Sequence, residues 1–262
     1  MKPSEQLNQQ PIQQPDLSII IPAYMEAASI TGSLQTLATY LNDRDFGKVE
    51  VIVVVAHSSD GTAELAAGQA KLFEHLRVHD VGPRAGKGRD VRAGILEATG
   101  KYRIFMDADL ATPLRHLDEL YAALKGGAKV AIAVRDLFVI HKGILRKIMS
   151  KGGNLFAQIL ILPGIKDTQC GFKGFEAEAA KDIFSRMTML GWSFDMEILK
   201  IARLRHYKIA VIAADDWKDP KTEKMGLVGD SPLHAAIQTL LDVVIIRLNV
   251  WKGLYKKPQT PA

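Results

Sequence analysis

Short β-branched apolar runs alternate along this chain with longer segments whose apolar residues recur at helical spacing. That alternation predicts an α/β domain built on a mostly parallel sheet flanked by helices. Strands are expected at Leu17–Ile21, Val49–Val55, Arg77–His79, Tyr102–Met106 and Lys129–Val134. Helices are expected near Ser29–Leu41, Thr62–Phe73, Lys87–Ala98 and Pro113–Lys125. Farther on, Leu233, Ile237, Leu240, Leu241, Val244, Leu248 and Trp251 repeat at helical spacing, with Arg247, Lys252, Lys256 and Lys257 gathered toward the end. A lipid-facing interfacial helix and a helix packed on protein both satisfy this last pattern. The expected organisation is a disordered tail over 1–16, one domain over 17–225 and a C-terminal amphipathic helix within 226–262.

Ligands of open α/β sheets sit beyond the carboxyl ends of the strands, so the residues that follow each apolar run matter most. Pro22, Ala23, Tyr24, Met25 and Glu26 follow the first run; Ala56, His57, Ser58, Ser59 and Asp60 follow the second. Asp107-Ala108-Asp109 follows the fourth and Arg135 the fifth. Two carboxylates one residue apart at a strand end suit a hard divalent cation, Mg²⁺ or Mn²⁺, that keeps positions open for diphosphate oxygens. Such a cation assists a phosphate leaving group as a Lewis acid. Taken alone, the triplet also fits two solvated turn carboxylates. The Gly86-Lys87-Gly88 segment offers backbone donors and the Lys87 ammonium to a phosphate, or simply makes a turn.

Composition narrows the field only slightly. The 262 residues are 47% hydrophobic and 24% charged, enough for a sizeable core. The net charge of +5 favours an anionic partner. Nucleic acid has nothing beyond charge in its favour and is not expected. The single cysteine, Cys170, rules out an internal disulfide and reads as a small buried side chain. The polar, Gln/Pro-rich start lacks the apolar stretch of a secretory signal, and no run is long enough for a membrane-spanning helix. A cytoplasmic protein, peripheral on the cytoplasmic membrane face, is the expectation; the sequence leaves the oligomeric state open.

Six elements occur in order: Pro22-Ala23-Tyr24-Met25-Glu26, Gly86-Lys87-Gly88, Val91-Arg92-Ala93-Gly94, Asp107 to Pro113, Asp167 to Lys173, and Trp192 to Glu197. Together they resemble the family-two glycosyltransferases of GT-A fold, in the branch of dolichyl-phosphate glucosyltransferases and polyprenyl-phosphate mannose synthases. The resemblance runs from about Leu17 to Tyr255. It implies inverting transfer of a hexose from a nucleoside diphosphate sugar to a polyprenyl phosphate. It also implies that Pro22, Ala23, Tyr24 and Glu26 line the nucleotide side, that Asp107 and Asp109 hold the sugar diphosphate through the metal, and that Arg135 is a basic residue of the site. Arg146 and Ser150 match an element that meets phosphate groups, and their i, i+4 spacing puts both on one helix face. A phosphate acceptor needs no general base; for a hydroxyl acceptor, Asp195 or Glu197 is the candidate, and on a helix only one of them faces the site. Asp167, Gln169 and Trp192 are expected to shape the sugar pocket. Trp192 and Phe194 fit core packing as well.

The chain departs from that family's pattern at one turn. Val55, Ala56 and His57 stand where aspartates usually follow the second strand, which leaves the nucleotide base open; His57 or Ser58 is a candidate substitute, and Asp60 is expected to cap the next helix. A sugar-phosphate nucleotidyltransferase and a catalytically altered sugar-nucleotide-binding protein are the alternatives.

Overall fold

The structure is a computed structural model that describes residues 14–135, 161–217 and 232–259, with backbone alone for 232–236. A seven-stranded sheet forms its centre, in the order β3-β2-β1-β4-β6-β5-β7. The strands are β1 (Leu17–Ala23), β2 (Val49–Val55), β3 (His75–Asp80), β4 (Tyr102–Met106), β5 (Val130–Val134), β6 (Phe172–Glu176) and β7 (Ile209–Ala213). β1 pairs in parallel with β2 and β4, β2 with β3, and β5 with β7. β6 is antiparallel to both its neighbours.

β1 and β2 are near-continuous apolar runs because both sheet faces are covered. On one face Ile20, Ile52 and Val54 meet α3 (Lys87–Glu97), α5 (Ala177–Ser185) and α6 (Phe194–Leu204). On the other, Ile19, Ile21, Val51 and Val53 share a core with α1 (Ile30–Asn42), α2 (Thr62–Ala67) and α4 (Arg115–Lys125). Gly94 lets α3 lie close on the sheet: a Cβ there would come within 2.5 Å of Ile20 and 2.6 Å of Val54. The last helix, α7 (Pro232–Trp251), contributes Val243 and Ile246 to the α3 side of the core, together with Tyr255 beyond it.

The five expected strands and the helices α1, α3 and α4 are present, with ends shifted by up to two residues. The helix expected over Thr62–Phe73 ends at Ala67, before Gly68, which costs helix about 1 kcal/mol relative to alanine. A separate 3₁₀ turn spans Ala70–Leu72. Pro113 lies two residues ahead of the first residue of α4, outside the helix it was expected to open. β6, β7, α5 and α6 go beyond the expected elements. The sequence of β6, Phe-Lys-Gly-Phe-Glu, hides its strand behind a lysine and a glycine, and β7 is an apolar run too short for its period to be read.

From β1 the chain winds outward through β2 and β3, then returns to place β4 on the other side of β1. The carboxyl ends of β1 and β4 therefore flank the switch point, where an open α/β sheet leaves a crevice.

Candidate active site

The turn after β4 carries the two expected carboxylates into this crevice. Ala108 between them is buried, and Leu110 takes a left-handed conformation (φ 52°), rare for a non-glycine residue. The Ala111 amide donates to Asp109 Oδ1 at 3.1 Å, fixing that carboxylate. Asp107 accepts a short hydrogen bond from the ammonium of Lys87, the first residue of α3. Gly171 makes room for Asp107: a Cβ there would lie 2.0 Å from Asp107 Oδ2. A cleft lined by Met106, Asp107, Leu110, Ala111, Thr112 and Phe172 opens beside the turn. Cys170 is buried near Thr112, as a small interior side chain, and burial pushes its thiol pKa up.

Charge is concentrated here. Burial alone would lower the pKa of Lys87, but Asp107, Asp195 and Asp109 outweigh it and hold the ammonium above its ordinary value. Burial pushes the Asp109 carboxyl up, and the Asp107 and Glu26 carboxylates push it further. A hard cation between Asp107 and Asp109 would relieve that repulsion, so the donor set fits Mg²⁺ or Mn²⁺. Among the described residues no cluster of three or more His, Cys, Asp or Glu side chains could hold a metal.

Two further ion pairs back the crevice. Arg135 follows β5 and grips Asp167 through Nε (2.6 Å) and Nη2 (3.1 Å), with the Trp217 ring 5.0 Å from its guanidinium. Burial would raise the Asp167 carboxyl, but the Arg135 guanidinium and amide hold it below its ordinary value. Asp167 therefore anchors Arg135. Lys173 is fully buried on β6 and meets Asp195 Oδ1 at 2.5 Å while also donating to the Cys170 carbonyl. Burial pushes the Asp195 carboxyl up, with Lys173 and Lys87 opposing.

Asp195 and Glu197 both lie on α6, and helical spacing parts them as expected. Glu197 turns away from the crevice to accept from Thr188 Oγ1 (2.5 Å), the amides of Thr188 (2.9 Å) and Met189 (2.8 Å), and Tyr255 Oη (2.8 Å). It fastens the C-terminal segment and is not a base for the site. Phe194 is core, against Phe105. Trp192 is 64% exposed, with the Lys87 ammonium 5.4 Å from its ring, so it belongs to the crevice rim. Replacing Lys173 by methionine strands the Asp195 carboxylate, and thermal denaturation should register a loss of about 3–5 kcal/mol. The double change Lys173→Met with Asp195→Leu should restore most of that loss; a double variant no more stable than the single one would contradict the pairing.

The turns after β1 and β2 are laced together. Met25, also left-handed (φ 55°), donates its amide to Ser58 Oγ at 3.1 Å, and Ser58 donates to the Ala56 carbonyl at 3.0 Å. The Asp60 carboxylate accepts from the Ala27 amide (3.0 Å), the Thr62 amide (3.2 Å) and Thr62 Oγ1 (2.6 Å). The N-cap of α2 is Gly61 (φ 82°), so Asp60 precedes the cap it was expected to be and ties two turns together. Pro22 is half-buried and Ala23 buried, Tyr24 presents its ring under the Arg84 guanidinium at 4.5 Å, and Glu26 accepts from Ser29 Oγ. His57 is exposed beside Asp80. Arg146, Ser150, Lys147, Lys151 and the apolar Gly143–Leu160 segment lie outside the described residues.

Sequence reasoning gave no role to Lys173, Asp80 or Arg84. A lysine between Phe172 and Gly174 in an apolar strand is the one signal that could have pointed to the first.

The sequence profile of glycosyl transferase family 2 matches residues 18–184. The chain belongs to glycosyltransferase family 2. Among its curated relatives, the dolichyl-phosphate beta-glucosyltransferase of Dictyostelium discoideum is 32% identical over 97% of this chain and 80% of its own length. The Drosophila melanogaster protein of the same name is 34% identical, over 92% of this chain and 77% of its own. Solved structures share the fold of this glycosyltransferase at low identity. Mannosyl-3-phosphoglycerate synthase from Rubrobacter xylanophilus aligns with a TM-score of 0.64 at 16% identity, covering 95% of this chain and 78% of its own. Glucosyl-3-phosphoglycerate synthase from Mycobacterium tuberculosis, solved with Mn²⁺, UDP and glucosyl-3-phosphoglycerate, aligns at 0.61 and 17% identity over 88% of this chain and 80% of its own. The expected GT-A architecture and the glycosyltransferase class both stand on these findings.

Proposed function

We propose that this glycosyltransferase moves a hexose from a nucleoside diphosphate sugar to a polyprenyl (dolichyl-type) phosphate, with inversion at the anomeric carbon. The observation that carries the reading is a charge imbalance in the crevice. Asp107 is matched by Lys87, Asp167 by Arg135 and Asp195 by Lys173, whereas among the described residues no cationic side chain is bonded to the Asp109 carboxylate. The names of the dolichyl-phosphate beta-glucosyltransferase relatives support the hexose and the acceptor class.

Asp109 and Asp107 are the residues to hold Mg²⁺ or Mn²⁺, which when bound supplies Lewis-acid charge to the departing diphosphate. Lys87 adds an ammonium to the same oxygens. Pro22, Ala23, Tyr24, Glu26 and His57 form the nucleotide side. Arg135 keeps Nη1 uncommitted among the described residues and, with Arg146 and Ser150, meets the acceptor phosphate. That phosphate is already anionic near neutral pH and attacks without a base, so Asp195 serves by positioning Lys173 and by adding to the field around Lys87.

The acceptor's lipid implies a membrane surface, and α7 offers the contact. Val243 and Ile246 face the core, while Ile237, Leu240, Leu241, Val244, Ile245, Leu248 and Trp251 are exposed, Trp251 by 83%. Such a continuous apolar face is rare on a soluble surface. Arg247, Lys252, Lys256 and Lys257 beside it are exposed as well. This charge suits the anionic cytoplasmic face of a bilayer and would repel a second copy packed on the same surface. Among the described residues no helix is long and apolar enough to cross a membrane; the exposed face of α7 is the contact this reading assigns, as a peripheral one.

Offering polyprenyl phosphate, free polyprenol and 3-phosphoglycerate in parallel, with Mn²⁺ and a panel of labelled nucleotide sugars, tests the acceptor. Label should enter the lipid phosphate alone. Label in polyprenol or in phosphoglycerate instead would overturn the assignment.

A further inference from the structure

The ends of β3, β2, β1 and β4 lie side by side, so a ligand whose diphosphate rests at Asp107 and Asp109 and whose other end runs past Tyr24 arrives at the ends of β2 and β3. Three strand spacings of about 4.8 Å separate β4 from β3, the scale of an extended nucleoside diphosphate. What that far end offers decides which base is accepted.

Most polar side chains there are spent. Ser58 Oγ both accepts from Met25 and donates to Ala56, and the Asp60 carboxylate takes three hydrogen bonds. His57 and Asp80 are different. Val55 and Asp80 are register partners, and the strands stay paired beyond them through Val81 N to Val55 O (3.0 Å) and His57 N to Gly82 O (3.0 Å). That pairing sets His57 Nε2 3.4 Å from Asp80 Oδ1, with the two side chains 61% and 65% exposed. The Gly82 amide donates to Asp80 Oδ1 at 2.7 Å and fixes the carboxylate. Among the described residues Asp80 Oδ2 and His57 Nδ1 carry no hydrogen bond. A carboxylate held from behind, with one oxygen open and an imidazole alongside, is an acceptor–donor pair at a strand end.

We propose that Asp80 and His57 read the nucleobase of the donor and select a base with an imide N–H, uracil or guanine. Asp80 Oδ2 accepts from the imide N–H, and the guanine amino group extends the same contact. With Nε2 turned to Asp80, His57 in its protonated form donates Nδ1–H to the adjacent carbonyl oxygen. The Tyr24 ring, one residue past the end of β1 and with Arg84 above it, limits how the nucleoside lies. Cytosine presents a ring-nitrogen acceptor where the imide N–H would be and meets Asp80 with repulsion; adenine does the same. The carboxylate that recognises the base thus comes from the end of β3, one strand beyond the Val55-Ala56-His57 turn.

This inference rests on the nucleotide-sugar reading above, and isothermal titration calorimetry with Mn²⁺ separates the two. UDP, GDP, CDP and ADP are titrated into the wild-type chain and into Asp80→Asn, Asp80→Ala and His57→Ala, each checked for an unchanged thermal transition. Wild type should bind UDP or GDP at least tenfold more tightly than CDP and ADP. Asp80→Asn and Asp80→Ala should lose about tenfold or more of that affinity, the weight of one charge-assisted hydrogen bond, and Asp80→Asn should narrow the gap between UDP and CDP. Equal binding of UDP and GDP by the Asp80 variants and wild type, or a wild-type preference for CDP or ADP, would overturn base reading by Asp80 while leaving the donor site intact. A wild-type chain that binds none of the four overturns the nucleotide-sugar reading, and this inference with it.

Discussion

Asp109→Ala should lower hexose transfer by about 10³-fold while leaving the thermal transition at or above that of the wild type. The first effect follows if Asp109 is the principal carboxylate for the metal that charges the leaving group. The second follows from its surroundings: Asp109 is buried against Asp107 and Glu26, and one backbone hydrogen bond with the attraction of Lys87 does not offset this, so removing it relieves repulsion. Adding Mn²⁺ with a nucleoside diphosphate should raise the melting temperature of the wild type, because a ligand that binds only the folded state stabilises it by mass action. The variant should show no such rise. Steady-state rates and melting curves on the same samples check both, and transfer within tenfold of wild type would remove Asp109 from the metal site.

The triple change Leu241→Glu, Leu248→Glu, Trp251→Glu should detach the chain from membranes. These side chains are exposed on α7 by 51%, 43% and 83%, away from the Val243 and Ile246 face, so folding should be untouched. Each buried apolar side chain of this size contributes about 1.5–3 kcal/mol, and the added carboxylates oppose the anionic surface. Co-sedimentation with vesicles containing phosphatidylserine should fall by at least about 10²-fold. Transfer to vesicle-borne polyprenyl phosphate should fall with it, while binding of nucleoside diphosphate is retained. Unchanged vesicle binding would exclude this face as the docking surface. A shift from dimer to monomer in solution, without loss of vesicle binding, would assign it to a second copy.

The strand-end turns were legible because burial on both sheet faces makes β1, β2 and β4 mostly apolar runs, broken only by Ser18, Glu50 and Arg103, and chemistry-bearing residues follow such runs directly. Asp107 and Asp109 come together with Lys87 at the end of such a run. Lys173 was not legible: its charge is masked by a partner, Asp195, 22 residues away, and no local pattern encodes so distant a match. Asp80 was overlooked for a related cause. Its importance comes from register with Val55 in the neighbouring strand, a relation that exists only once the sheet is paired. Periodicity placed α7 but could not orient it, since Val243 and Ile246 are as apolar as the exposed Leu241 and Val244.

The chemistry proposed for this crevice is metal-assisted, inverting transfer onto a lipid phosphate. Its most direct test is to incubate the purified chain with polyprenyl phosphate in anionic vesicles and the nucleotide sugar that binds, with Mn²⁺ or with EDTA, and to read the extracted lipid by mass spectrometry and anomeric proton NMR. A hexosyl-phosphoryl polyprenol of anomeric configuration opposite to the donor, formed with Mn²⁺ and absent with EDTA, is the expected product. No lipid product from any donor, a product of retained configuration, or equal yield in EDTA would contradict the account.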